Sequence, residues 1–196
     1  MARKQYHHGN LKQAIIEEAL VQLNLVGAEN LSFREIAKKL GVVSSAPYNH
    51  FKSKRQLYKE LINIGINLLL ERMNNEKNKK ISPAEKLFHS AKAYLKFSLD
   101  EKELFLLMFS SNNLEIKNLI NLISIQFLDI VEEKFKDGKR MRITEKGAAI
   151  TAWSMVHGLA KLANNETLEA IEEQSSLKID GIFSQMSAIW GRGVSS

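Results

Sequence analysis

Apolar side chains recur three and four residues apart along nearly the whole chain, and the interruptions carry helix-start chemistry rather than strand chemistry. Leu11, Ile15, Ala19 and Leu23 form one such stripe, closed by Gly27. Ser32-Phe33-Arg34-Glu35 has the form of a capping box, with Ser32 as N-cap and Glu35 reaching back, and Leu31 with Ile36 forms a hydrophobic staple. The helix so opened turns Ile36, Ala37 and Leu40 inward and stops at Gly41, a residue free to take the left-handed conformation of a helix end. Ser44 or Ser45 starts a short third helix through Phe51, and Ser53-Lys54-Arg55-Gln56 is a second capping box, opening a long helix towards Met73. The expected fold class is all-α.

The polar stretch Asn74 to Lys80 is the natural boundary, after which Ser82-Pro83-Ala84-Glu85 combines an N-cap, a proline at the first helical position and a capping-box Glu. Further helices are expected at about 83–99, 102–110, 114–136, 144–164 and 176–191, with the loop Asp137-Gly138-Lys139-Arg140 between two of them. The expected architecture is an N-terminal three-helix domain over 1–52, a connecting helix over 53–75 and a C-terminal helical bundle over 76–196, about nine helices in all.

Composition narrows the function classes. With 196 residues, 44% hydrophobic and 26% charged, the chain has the makeup of a globular protein with a real core. It has no cysteine, which removes disulfides, thiolate zinc sites, iron–sulfur clusters and a cysteine nucleophile. The densest apolar run, Leu104 to Phe109, is far too short to span a membrane, and Lys12, Glu17 and Glu18 break any signal-peptide h-region. Cytoplasm is the default compartment, and the N-x-S/T matches at Asn30 and Asn165 then carry no meaning. No H-E-x-x-H, P-loop or strand-borne G-x-G-x-x-G occurs, so an enzyme is the disfavoured alternative, and no cofactor or metal is expected.

Charge is unevenly placed. The first 60 residues hold ten Lys or Arg against five Asp or Glu, and thus +5 of the net +6. Either a polyanion-binding head precedes a nearly neutral body, or solvated surface charge is merely uneven.

The tight glycine-started turn Gly41-Val42-Val43 between two short helices is the mark of a helix-turn-helix. In that geometry the first helix buttresses the phosphate backbone and the second enters the major groove. The inward side would hold Ile36, Ala37, Leu40, Val42, the ring of Tyr48 and Phe51. The outward side would hold Ser44, Ser45, Ala46 and Asn49, small or polar groups that let the backbone approach base edges. Pro47 falls in the first turn, where a missing N–H costs nothing.

These residues carry a resemblance. The run Leu31-Ser32-Phe33-Arg34-Glu35-Ile36-Ala37-Lys38-Lys39-Leu40-Gly41-Val42, followed by Tyr48-Asn49-His50-Phe51-Lys52-Ser53-Lys54, resembles the N-terminal domain of the TetR/AcrR family of bacterial transcription regulators, over about residues 8–60. Ala152-Trp153-Ser154-Met155-Val156-His157-Gly158-Leu159 is similar to the Trp-His-Gly signature of one C-terminal subfamily, and the opening Tyr6-His7-His8-Gly9-Asn10-Leu11 fits the same subgroup. The resemblance implies that Tyr48, His50 and Lys54 touch phosphates, with Lys52 adding charge and Ser32 near a helix start. It further implies that Arg34 reaches a guanine edge while Ser44, Ser45, Ala46 and Asn49 read sequence. Pro47 departs from the family, where an apolar residue such as Leu is common at that position.

Several residues admit two readings. Arg3 and Lys4 are a minor-groove arm or a solvated end. His7 and His8 are solvated rather than a metal pair, since adjacent residues at a terminus point apart. Phe88, Phe105, Met108 and Phe109 line a cavity between helices or are plain core, and His157, sharing a helix face with Trp153, meets a ligand or packs. One small head binds duplex weakly and two on a palindrome bind well, so a homodimer is expected. The resemblance sets its seam on the last two long helices, with Ile150, Trp153, His157, Ile179, Ile182, Phe183, Met186 and Trp190 as candidates. The expected protein is a homodimeric repressor of a palindromic operator on double-stranded DNA, released by an unidentified small molecule. A ligand-independent DNA binder is the nearer alternative and an all-α enzyme the more remote one.

Overall fold

In a computed structural model of the chain, residues 11–110, 116–135, 143–165 and 167–193 are described. The Arg3–Lys4 arm, the His7–His8 pair, the rest of the opening run from Tyr6 to Asn10 and the 137–140 loop lie outside them. Among the described residues every regular element is helical: α1 (Leu11–Asn30), α2 (Phe33–Leu40), a 3₁₀ turn (Ala46–Asn49), α3 (Lys54–Lys77), α4 (Pro83–Asp100), α5 (Lys102–Met108), α6 (Ile116–Phe135), α7 (Glu145–Ala163), α8 (Thr167–Ser175) and α9 (Ile179–Gly193). These elements group into two compact units, one of residues 11–65 with 103–110, the other of residues 66–102 with those from 116 onward. The division runs through α3 and assigns most of α5 to the first unit.

The first unit is built on the α1 stripe. Ile15, Ala19 and Leu23 are fully buried, and so are Leu31, Ile36, Leu57 and Leu61. Gly27 breaks α1 with a φ of 73°, which an L side chain rarely adopts. Beyond that break the Tyr58 hydroxyl donates to the Ala28 carbonyl, and burial pushes this phenol's pKa up. Helix α5 lies close against α3: a Cβ at Gly65 would meet Met108 Sδ at 2.5 Å and Leu104 Cγ at 3.0 Å. A side chain at 65 would therefore force Met108 and Leu104 to shift.

The second unit is a bundle in which α4, α6 and α7 pack on one another, with α9 against α4 and α7. Its core holds Tyr94, Phe97, Ile123, Phe127 and Val156, all fully buried. Helix α4 opens with a complete capping box: Glu85 N–H donates to Ser82 Oγ at 3.3 Å and Ser82 N–H to Glu85 Oε2 at 2.9 Å. Those bonds hold the Glu85 carboxyl below its usual pKa. Arg72 is fixed by Asp100 at 2.9 Å and Glu101 at 3.0 Å, with its guanidinium 5.4 Å from the Phe97 ring centroid.

Three expectations need correction. Ser32 occupies the N-cap of α2 in extended conformation, yet its side chain makes no capping hydrogen bond; Glu35 instead lies 3.7 Å from Lys38. The third helix is not an α-helix through Phe51 but a turn followed by four residues of 3₁₀. Helix α8 arises within a stretch to which the sequence pattern assigns no element; it buries no residue, and Leu168 with Ile171 gives only a single three-residue apolar spacing to announce it.

Candidate nucleic-acid interface

The site is positioned by the end of α2. Gly41 sits at φ 69°, its N–H donating to Lys38 O at 3.2 Å, while Val42 N–H donates to Ala37 O at 3.0 Å. This six-to-one and five-to-two pair is a Schellman stop, which ends α2 sharply and turns the chain within two residues. The next segment tightens rather than coiling into an α-helix. Ala46 N–H donates to Val43 O at 2.9 Å, Tyr48 N–H to Ser45 O at 3.1 Å and His50 N–H to Pro47 O at 3.0 Å, each an i→i+3 bond. Pro47 supplies no N–H and so donates nothing to an i→i−4 ladder, although its carbonyl accepts from Phe51 N–H at 2.9 Å.

The tighter winding decides which side chains face outward. Ser44, Ser45, Tyr48, Asn49 and His50 are exposed, and Lys52 and Lys54 follow them on the surface. Arg34 is exposed on α2 and Ser32 is half-buried at its start. Ala46 was expected to read bases, but it is 8% exposed and turned inward with Pro47, because a three-residue period puts positions 46 and 47 on the core side. Tyr48 was expected to bury its ring; instead it is 57% exposed and stands edge-on to Phe33, with ring centroids 5.0 Å apart. Phe33 also stacks on buried Phe51 at 6.4 Å, so the phenol is braced from beneath while its hydroxyl remains outside.

The start of α3 completes the face. Gln56 N–H approaches Ser53 Oγ at 3.4 Å, and the Gln56 side chain accepts from Lys52 N–H at 2.8 Å. This ties the chain leaving the 3₁₀ turn to the first turn of a 24-residue helix. The N-terminus of α3 carries partial positive charge, and Lys54 and Arg55, both exposed, stand on it. Lys12 adds another cation, paired with Glu60 at 2.7 Å and placed 5.7 Å from the Phe51 ring. A surface of hydroxyls, amide, imidazole and cations, with one helix N-terminus at its edge, suits phosphate and base-edge contact.

Sequence reasoning passed over Val43. It is 70% exposed beside Ser44, whereas Val42 before it is half-buried, and the turn signal gave no reason to single it out.

In the second unit, Tyr94 also went unremarked. Its hydroxyl lies 2.7 Å from His157 Nδ1 and accepts from Trp153 Nε1 at 3.5 Å. Burial pushes the Tyr94 phenol up and the His157 imidazole down to about 4, with the charge of Lys161 adding to the latter. His157 is therefore neutral at pH 7. The six residues weighed as cavity lining divide between the units. Phe105 and Met108 are fully buried in the first, where Phe109 lies 4.9 Å from Phe105 by ring centroid. Phe88, Trp153 and His157 belong to the second, Phe88 packing on Phe183 at 5.1 Å.

The residues named for the seam also divide. Phe183 is fully buried and Trp190, 9% exposed, donates to Ala148 O at 3.2 Å, so both are core of their own subunit. Ile150 is 54% exposed, and Trp153, His157, Ile179, Ile182 and Met186 are half-buried.

The fold and this face define a helix-turn-helix protein with a helical C-terminal domain. Residues 15–61 match the family described as bacterial regulatory proteins, tetR family, and residues 87–185 match the tetracyclin repressor-like C-terminal domain. The chain belongs to the TetR family, whose members are DNA-binding transcriptional regulators. It is 28% identical to the nucleoid occlusion factor SlmA of Vibrio atlanticus, over 76% of this chain and 81% of that protein. It is 50% identical over 46 residues to the class C tetracycline repressor protein of Escherichia coli, covering 24% of this chain but only 21% of the repressor. A protein of unknown function from Rhodococcus sp. RHA1 shares the whole fold, with a TM-score of 0.80 at 22% identity over 99% of this chain and all of that one. Among the described residues no helix is long and apolar enough to cross a membrane, and no three His, Asp or Glu side chains converge as metal ligands would.

Proposed function

We propose that the chain is a homodimeric repressor that places two 44–50 segments in successive major grooves of a palindromic operator and is released by a small molecule held in the C-terminal unit. The exposed face running from Ser44 through Lys54 carries this reading, because it holds hydroxyls, an amide, a phenol hydroxyl, an imidazole and two ammonium groups together on one side of a short turn. Tyr48, His50, Lys52 and Lys54 hold the phosphates. Arg34, Ser44, Ser45 and Asn49 meet base edges, and Val43 offers an apolar contact to a thymine methyl group. Helix α3, shared by both units, is the lever through which an effector changes the spacing of the heads, to the extent that it binds one spacing better than the other.

The test is duplex selection from a random pool, followed by titration of the selected site at several salt concentrations. Selected sites should be two-fold symmetric, with half-sites about one helical turn apart, and log affinity should fall linearly with log salt. Asymmetric selected sites, or affinity indifferent to salt, would refute the reading.

A further inference from the structure

The second unit contains a pocket of about 310 Å³ between α4 and α9, at the low end of the size range for small-molecule sites. It exists because the facing positions are small. Helix α4 presents Ala84 and Ala91 on one face, and α9 presents Ser187, Ala188 and Gly191 on the opposing one. Neither row can fill the space left once Phe88 and Phe183 have set the distance between the helices nearer the start of α9. Ala152 and Met155 of α7 floor it, and the lining is overwhelmingly apolar.

One charged group enters this lining. Lys134, in the last turn of α6, borders the pocket with its Nζ 5.2 Å from the centroid of the Trp190 ring. That ring is itself held by the bond from its Nε1 to Ala148 O. The neighbouring Glu133 is taken by Lys86, through bonds of 2.8 and 2.9 Å, and among the described residues no carboxylate pairs with Lys134. Burial lowers the Lys134 pKa, as expected for an ammonium short of solvation. A single cation beside apolar walls complements one negative charge on an otherwise apolar body. A dianionic phosphate would call for several cationic donors, and beside Lys134 these walls offer only the hydroxyls of Ser184 and Ser187.

We infer that this pocket binds an apolar monocarboxylate, its carboxylate on Lys134 Nζ and its hydrocarbon or aromatic body between the small faces of α4 and α9. The inference deepens the proposed release mechanism and rests on it only for the consequence of binding, not for the site.

Calorimetric titration of the full chain with decanoate, decan-1-ol and decyltrimethylammonium tests it. Decanoate should bind at least about tenfold more tightly than the alcohol, and the cation more weakly still. Lys134→Met should weaken decanoate by about ten- to a hundredfold and leave the alcohol unchanged. Ala188→Phe, or Ser187→Leu should the first not fold, should abolish both by filling the pocket. No decanoate binding to the wild type, or equal binding to wild type and Lys134→Met, overturns the site.

Parallel titrations of the selected duplex separate the two ideas. Decanoate that binds through Lys134 without releasing the duplex upholds the site and refutes release by this ligand class. Release that persists undiminished in Lys134→Met overturns the site.

Discussion

At the scale of single residues, the proposed interface assigns its cations to phosphate and its other polar groups to base edges, and the two should fail differently. Lys54→Ala should weaken binding to every duplex about equally and reduce the salt slope by about one, because one phosphate contact is lost. Asn49→Ala should instead change preference among sequences, costing about 1–3 kcal/mol on the best site and less on others. Competition titrations against shuffled duplexes distinguish the two outcomes.

His157 makes a prediction of another kind. Its folded pKa of about 4 lies below the ordinary 6.5, so the unfolded chain takes up that proton first. Its contribution is complete above about pH 6.5 and is lost as pH falls towards 4. For a partly solvated ring this is worth about 1–2 kcal/mol. The urea midpoint of the wild type should therefore fall more steeply over that window than that of His157→Gln; parallel falls would mean that the imidazole is not held neutral.

Which residues were legible follows the range of the interactions that place them. Arg34, Asn49 and Lys54 could be put on the surface from local pattern alone. Ala46 and Tyr48 could not, since their direction depends on whether the turn winds with a period of three or of 3.6. Tyr94 was invisible because its partner lies 63 positions away in sequence.

At the scale of elements, chain stops were easier to read than chain starts. Gly41 was expected to be left-handed and is, at φ 69°. Glycine there answers to backbone sterics that no neighbour can relieve. The cap at Ser82 formed, whereas the one at Ser32 did not, although both have the same pattern. A side-chain cap yields only about 1 kcal/mol, small enough for packing of Leu31, Phe33 and Ile36 to set the entry angle instead. Helix α8 escaped notice because nothing on it is buried. Gly41→Val should cost about 1–2 kcal/mol or more through strain at positive φ, whereas Gly41→Asn should cost less. Thermal melting of the two variants gives the order, and equal melting temperatures would contradict the left-handed assignment. Duplex affinity should fall with the Val variant, since the 44–50 segment is aimed by that stop.

For the whole molecule, the proposed dimer seam makes the sharpest demand on α7. A Cβ at Gly158 would meet no atom of its own subunit within 4 Å, so Gly158→Leu should leave subunit melting nearly unchanged. If α7 meets its counterpart there, the same variant should shift the chain towards monomer in light scattering, and an unaltered dimer would move the seam elsewhere. Sequence pattern reached the all-helical architecture and the helix-turn-helix. It could not sort Phe183 and Trp190, which are core, from Ile150, which is exposed, because apolar periodicity marks burial without saying against what.

The placement of α5 bears on how the molecule is made. Leu104, Phe105 and Met108 complete the core of the first unit, with Met108 close against Gly65. A nascent chain that has emerged only as far as α3 therefore lacks part of that core. The first unit should complete its core only once α5 has been synthesised, and a gene fragment ending near residue 65 should yield a peptide prone to proteolysis unless the 103–110 segment is supplied in trans.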